Sequence, residues 1–183
     1  MTGDPAADSR FLAYVLRHNP SAIGVTLDGA GWVAVDVLLA AMARHGRPLS
    51  REALGAVVAG GDKRRFETSG GRIRAMQGHS VPVDLGLEPL APPAVLFHGT
   101  VPRFLAGIRA HGLRSGRRTH VHLSADDQTA AAVGARRGTP VVLRVDAAGM
   151  YRAGQLFYRA VNGVWLTAEV PPQWIVLPPE LST

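Results

Sequence analysis

The stretch "VPVDLGLEPLAPPAV", residues 81 to 95, limits what this chain can fold into more than any other feature. Pro82, Pro89, Pro92 and Pro93 each lack a backbone donor and push the preceding residue out of helical conformation. No helix or central strand runs through such a segment. The patterns on its two sides also differ: helical spacing of apolar residues dominates before it, and short strand-like apolar runs follow it. A chain of 183 residues holds one large domain or two small ones. The linker favours two, split near residue 90 into 1–90 and 91–183, with an α+β fold class overall.

In the first half, Phe11, Leu12, Val15 and Leu16 mark a helix from about Ser9 to His18, which must end near Asn19-Pro20. A second helix is expected from Asp36, as N-cap, through Leu38, Leu39 and Met42 to Gly46. A third starts at Ser50 and runs through Leu54 and Val57 to Gly60-Gly61. The run "RRFETSGGRIRAM" then reads as a hairpin turning at Ser69-Gly70-Gly71. Helices followed by a hairpin suggest a small winged-helix unit, provided that Trp32-Val33 supplies a third strand.

The second half reads as β-rich with inserted helices. "AVLFHGT" is a buried-type strand, Phe104 to His111 a short helix, and Ala125 to Arg136 a helix closed by Gly138. "PVVLRVD" and "GVWLTAEVP" are further strands. If Thr119 to Leu123 is extended, His120 and His122 share one face, and Val121 and Leu123 share the other. Ser124-Ala-Asp-Asp127 has the spacing of an N-cap with an acidic third position. "GRRTHVHLSAD" therefore gathers cations and imidazoles on one side of a strand, just before a helix start. It is either a solvated basic edge or a place where an anion binds.

Charge bears on that choice. The formal net charge is +6, and Lys63 is the sole lysine, so the positive charge is almost entirely guanidinium, a planar donor suited to phosphate. Arg17-His18, at the end of the first helix, suits the helix dipole and equally suits an anion. "DKRRF" before the hairpin reads as a solvated face or as a contact to a nucleic-acid backbone. Three such clusters fit a cleft that closes on a polyanion. His98, His120 and His122 form a feasible ligand set, but no acid stands among them and the nearby arginines repel a cation, so no metal is expected. The chain has no cysteine, no phosphate-binding glycine loop and no paired carboxylates, which excludes thiolate sites, P-loop chemistry and glycoside hydrolysis. With no signal-like start and no membrane-length apolar run, a soluble intracellular protein is expected.

Eight stretches, "SRFLAYVLRHNP", "GVTLDGAGWVAVDVLL", "DKRRFE", "IRAMQGHS", "LFHGT", "RTHVHLSAD", "VGARRGTPVVLRVDA" and "FYRAVNGVWLTAEVPP", follow one another from about residue 9 to about residue 175. In that order they resemble the RNA 2'-phosphotransferase (KptA, or tRNA 2'-phosphotransferase) family. The resemblance implies a winged-helix RNA lobe followed by an ADP-ribosyltransferase-like, NAD-binding lobe. It also implies a reaction. An internal RNA 2'-phosphate attacks C1'' of the nicotinamide ribose of NAD+ and expels nicotinamide. The 2''-hydroxyl then attacks phosphorus, leaving RNA with a 2'-OH and ADP-ribose 1'',2''-cyclic phosphate.

Carried over position by position, the family's Arg-His-Arg-Arg set falls on Arg17, His18, Arg65 and Arg118. The NAD+ site falls on His98, Gly99, Thr100, His120, Ser124 and Phe157. NAD+ is the co-substrate, with no metal. The implied partners are NAD+ and an RNA bearing an internal 2'-phosphate, as in tRNA splicing and RNA repair, with no membrane; a cytoplasmic monomer is expected. Two positions depart from the family pattern: Gly61-Asp62-Lys63, where Asn-Asp-Lys is usual, and Ala160, where serine is usual. Two other readings fit the same residues. One is ADP-ribosylation of nucleic-acid terminal phosphates, and the other is a winged-helix, NAD-sensing nucleic-acid-binding module.

Overall fold

Asp4 starts the first helix earlier than its apolar pattern indicates. The computed structural model describes residues 4–60 and 64–178, in which α1 spans Pro5–Arg17. The Asp4 side chain accepts from the Ala6 amide, and Pro5 sits where its missing donor costs nothing. The polar start "PAADS" carries no apolar period, so the pattern alone begins at Ser9. Leu12, Val15 and Leu16 lie on the buried face.

The chain divides into two compact units, Met1–Gly86 and Leu87–Thr183, and the division falls inside the proline-rich stretch. In the first unit, α1 is followed by β1 (Val33–Ala34), α2 (Val35–Arg44), α3 (Arg51–Ala59), β2 (Phe66–Ser69) and β3 (Arg72–Ala75). Asp36 is not the cap of α2. Ala34 occupies the cap position without a side-chain bond, and the Val35 amide donates instead to the Gly71 carbonyl at 2.9 Å. A main-chain group of the hairpin thus does the work of a cap, which frees Val35 to turn inward; Asp36 pairs with Arg51. Ser50 does cap α3, accepting from the Ala53 amide at 3.0 Å. Gly70 and Gly71 have φ of 54° and 72°, the two left-handed residues that a tight hairpin requires. The sheet order is β1-β3-β2, all antiparallel, and Leu12, Leu16, Leu38, Met42, Phe66 and Ile73 fill the core beneath it.

The second unit contains β4 (Val95–Thr100), α4 (Leu105–His111), β5 (Leu113–Arg114), β6 (Val121–Leu123), α5 (Asp127–Gly134), β7 (Val141–Asp146), α6 (Ala147–Arg152), β8 (Tyr158–Arg159), β9 (Trp165–Thr167), β10 (Glu169–Val170) and β11 (Ile175–Val176). Their sheets are β11-β7-β4, β6-β9-β8 and β10-β5. "GVWLTAEVP" is therefore two strands in different sheets rather than one, since the chain leaves β6 at Thr167 and joins β5 at Glu169. A reciprocal bridge ties β4 to the end of β6: the Phe97 amide donates to the Ser124 carbonyl at 2.9 Å, and the Ser124 amide to the Phe97 carbonyl at 2.8 Å. The core is built from Leu96, Val121, Leu123, Leu143, Met150, Phe157 and Trp165. Among the described residues no helix is long and apolar enough to cross a membrane.

Candidate active site

In the first unit the candidate residues are arranged around α1. The last carbonyls of a helix lack intrahelical partners. Here the Arg17 carbonyl accepts from the amides of Ser80 at 2.8 Å and Val81 at 3.3 Å. The segment after the hairpin is thereby fastened to the end of α1, and the His18 Nδ1 meets the Ser80 hydroxyl at 2.9 Å. Next to them His79 is buried, with 1 % of its surface exposed. Burial, then the charges of Arg17, His18 and Arg74, push its pKa down to about 4, so the ring is neutral. Arg65, half-buried, reaches the N-terminal half of the helix, where Nη1 donates to the Ser9 hydroxyl at 2.9 Å. Arg64 is exposed. Gly61, Asp62 and Lys63 lie outside the described residues.

In the second unit the candidate residues converge on β4 and β6. His98 Nδ1 lies 3.0 Å from the His122 carbonyl. A carbonyl only accepts, so Nδ1 carries the proton and Nε2 is left as an acceptor. Burial lowers the His98 pKa against that hydrogen bond, with Arg137 and Arg118 adding to the shift. Arg118 Nη1 lies 2.7 Å from His122 Nδ1. The residue is exposed by surface area, yet packing around its guanidinium, followed by the charge of Arg137, lowers its pKa. Thr100 is buried, and Ser124 is half-buried in the bridge to β4.

Several expected details change. His120 is not on the strand: β6 begins at Val121, and His120 packs edge-on against Tyr158 with ring centroids 5.7 Å apart. Burial lowers its pKa. Asp126, not Ser124, caps α5, accepting from the Thr129 amide. Gly99 lies directly against α5. A Cβ there would sit 1.8 Å from the Ala130 carbonyl oxygen and 2.9 Å from the Gly134 amide. Phe157 is fully buried in the core. Ala160 is buried at a turn closed by Gly163 and Val164. No group of three metal-ligating side chains occurs among the described residues. A cavity of about 660 Å³ opens beside α5, lined by Phe97, Val142, Arg144, Asp127 and Gln128. None of the candidate residues lines it, because Phe97 and His98 point to opposite faces of β4.

The sequence model of the "RNA 2'-phosphotransferase, Tpt1 / KptA family" matches residues 5–169. The chain belongs to the RNA 2'-phosphotransferase family. A Pseudomonas aeruginosa protein named "Probable RNA 2'-phosphotransferase" is 57% identical over 170 residues, covering 91% of this chain and 93% of its own. Proteins with the same name from Streptomyces coelicolor and Agrobacterium fabrum are each 55% identical, covering 93% and 96% of this chain and 93% and 96% of their own. Several of the candidate residues are thus held in place by neighbours within their own unit. Ser9, Ser80 and Arg137 also belong to these arrangements and were missed in the sequence, while His122 was read only as a strand neighbour of His120 and a feasible metal ligand. Ser80 and His122 lie inside quoted motifs, but nothing local marks either as the partner of a named cation.

Proposed function

We propose that the chain is an RNA 2'-phosphotransferase that moves an internal RNA 2'-phosphate onto NAD+, yielding RNA with a 2'-OH, nicotinamide and ADP-ribose 1'',2''-cyclic phosphate. On this reading the first unit is a winged-helix RNA lobe and the second an ADP-ribosyltransferase-like lobe. One observation carries most weight. Arg65 and Arg118 are held by neutral groups, a serine hydroxyl and an imidazole nitrogen, while Arg51, Arg72, Arg74 and Arg114 are paired with carboxylates. A guanidinium steadied by a neutral partner keeps its charge for an incoming phosphate, where a carboxylate would compete.

Both chemical steps draw on such groups. The attack on C1'' needs the 2'-phosphate held in line with the breaking glycosidic bond, a positioning task for bidentate donors. The second attack builds charge on the non-bridging oxygens of phosphorus, where preorganised cations contribute most. We assign phosphate binding to Arg17, His18, Arg65 and Arg118, with His18 able to donate to a phosphate oxygen. His98, Thr100, His120 and Ser124 are assigned to the NAD+ side. His98 Nε2 suits a hydroxyl donor such as a ribose, because Nδ1 is already committed to the main chain.

The test is incubation with a short RNA carrying one internal 2'-phosphate, with and without NAD+, and with EDTA. Phosphate loss that needs NAD+ and survives EDTA is expected. Loss without NAD+ would refute the reading. An ADP-ribosylated RNA that never proceeds to a 2'-OH would move the assignment to nucleic-acid ADP-ribosylation.

A further inference from the structure

We propose that His122 is a positioning residue that sets two groups at once, holding Arg118 through its ring and His98 through its main-chain carbonyl. The geometry stands by itself, while the kinetic consequences rest on the activity proposed above.

The direction of control follows from how each partner is anchored. His122 is the middle residue of β6, opposite Leu166, and its neighbours Val121 and Leu123 are 3 % and 1 % exposed in the core. Those two residues are also in register with Thr167 and Trp165 on β9. A slip along the strand would turn both buried side chains to the wrong face, so position 122 is fixed. Arg118 lies in the turn before the strand, its amide bonded to the Ser115 carbonyl at 3.2 Å. A long exposed side chain on a turn has many rotamers, and confining it costs entropy unless a fixed partner selects one. The ring of His122 is that partner, at 2.7 Å.

The bond also fixes proton positions. Guanidinium only donates, so Nδ1 of His122 must be the acceptor and, in a neutral ring, the proton sits on Nε2. His98 has the opposite form, with its proton on Nδ1, because the His122 carbonyl only accepts. Strands β4 and β6 therefore carry histidines in opposite tautomers, and both are set by residue 122. Arg118 commits Nη1 of its fork to His122.

Two variants and one spectrum test this. His122→Asn keeps an oxygen acceptor near the place of Nδ1, whereas His122→Leu fills the space without one. In single-turnover assays with NAD+ and 2'-phosphorylated RNA, the Leu variant should lose turnover about 100-fold, the cost of a catalytic group misplaced by about 1 Å. Its KM for NAD+ should stay within about threefold, since ground-state binding is not what is lost. The Asn variant should recover most of the rate. A Leu variant with full turnover, or a folded Asn variant as slow as Leu, would overturn the proposal. Long-range proton–nitrogen NMR of the wild-type protein reads the tautomers directly and does not depend on activity. A proton on Nδ1 of His122 would refute the proposal even if neither variant folds. If the wild type shows no turnover, the activity reading fails, and the spectrum alone decides the positioning role.

Discussion

The two units support their candidate cations by different means. In the first, Arg65 and His18 each meet a serine hydroxyl, on Ser9 and Ser80. In the second, Arg118 and His98 both depend on one half-buried strand residue flanked by buried core neighbours. A hydroxyl rotates and serves as donor or acceptor, so it releases a cation to phosphate at little cost. A strand imidazole in a single tautomer does not. Under the proposed function, this difference suits a first unit that accepts varied RNA backbones and a second that holds one co-substrate in one pose.

The largest effects should come from removing the cations themselves. Alanine at Arg17, His18, Arg65 or Arg118 should each lower turnover by about 100- to 1,000-fold, the usual cost of losing one preorganised transition-state donor. Arg64→Ala should stay within about twofold, as expected for an exposed charge. If Arg64→Ala is the inactive variant and Arg65→Ala is active, the assignment of "KRRF" is one residue out. Steady-state kinetics on the five purified variants decides this.

Next in size is Gly99→Ala, which probes the rigid side of the comparison. The added methyl would collide with the main chain of α5, which has no flexible end to move aside. Overpacking costs about 1–3 kcal/mol in ordinary cores and more where backbone must shift. Thermal unfolding should show the loss in the second unit, whether or not NAD+ binding involves Gly99.

A pH effect of similar size belongs to the first unit. The His79 pKa is about 4 in the folded protein against an ordinary value of 6.5. An unfolded chain binds the proton first, so stability should be intact above pH 6.5 and fall as pH drops toward 4. The whole effect is about 3 kcal/mol, and it stops growing below the folded pKa. Urea unfolding across that range should show the slope in the wild type and a weaker one in His79→Gln. His98, lowered as well, contributes with the same sign.

The smallest expected effect separates the two modes of support. Ser80→Ala or Ser9→Ala should cost about 1 kcal/mol of transition-state stabilisation, or roughly fivefold in rate, the worth of one neutral hydrogen bond. Losses as deep as those expected for His122→Leu would mean that the first unit is as rigidly preorganised as the second.

What could be read from the sequence was what is local. The buried face of α1, the Ser50 cap and the Gly70-Gly71 turn each depend on residues a few positions apart, and each stands where the pattern put it. What escaped was set by distant partners. Asp36 looked like a cap, but a carbonyl from the hairpin serves α2 instead. Nothing near Gly99 in the sequence shows that the main chain of α5 packs against it. The two-residue strands β5, β8 and β11 are too short to show any period. Among the candidate residues, Arg17, His18, Arg65 and Arg118 came from family motifs, whereas Ser9, Ser80 and His122 are visible only as their partners in space.

The most direct test of the account follows the phosphorus atom. RNA made with one radiolabelled internal 2'-phosphate would be mixed with excess enzyme and NAD+, and the products separated over time. The label should pass first into an RNA ADP-ribosylated on that 2'-phosphate and then leave the RNA in ADP-ribose 1'',2''-cyclic phosphate, with one nicotinamide released for each 2'-OH formed. Label recovered as inorganic phosphate, with NAD+ unconsumed, would contradict it.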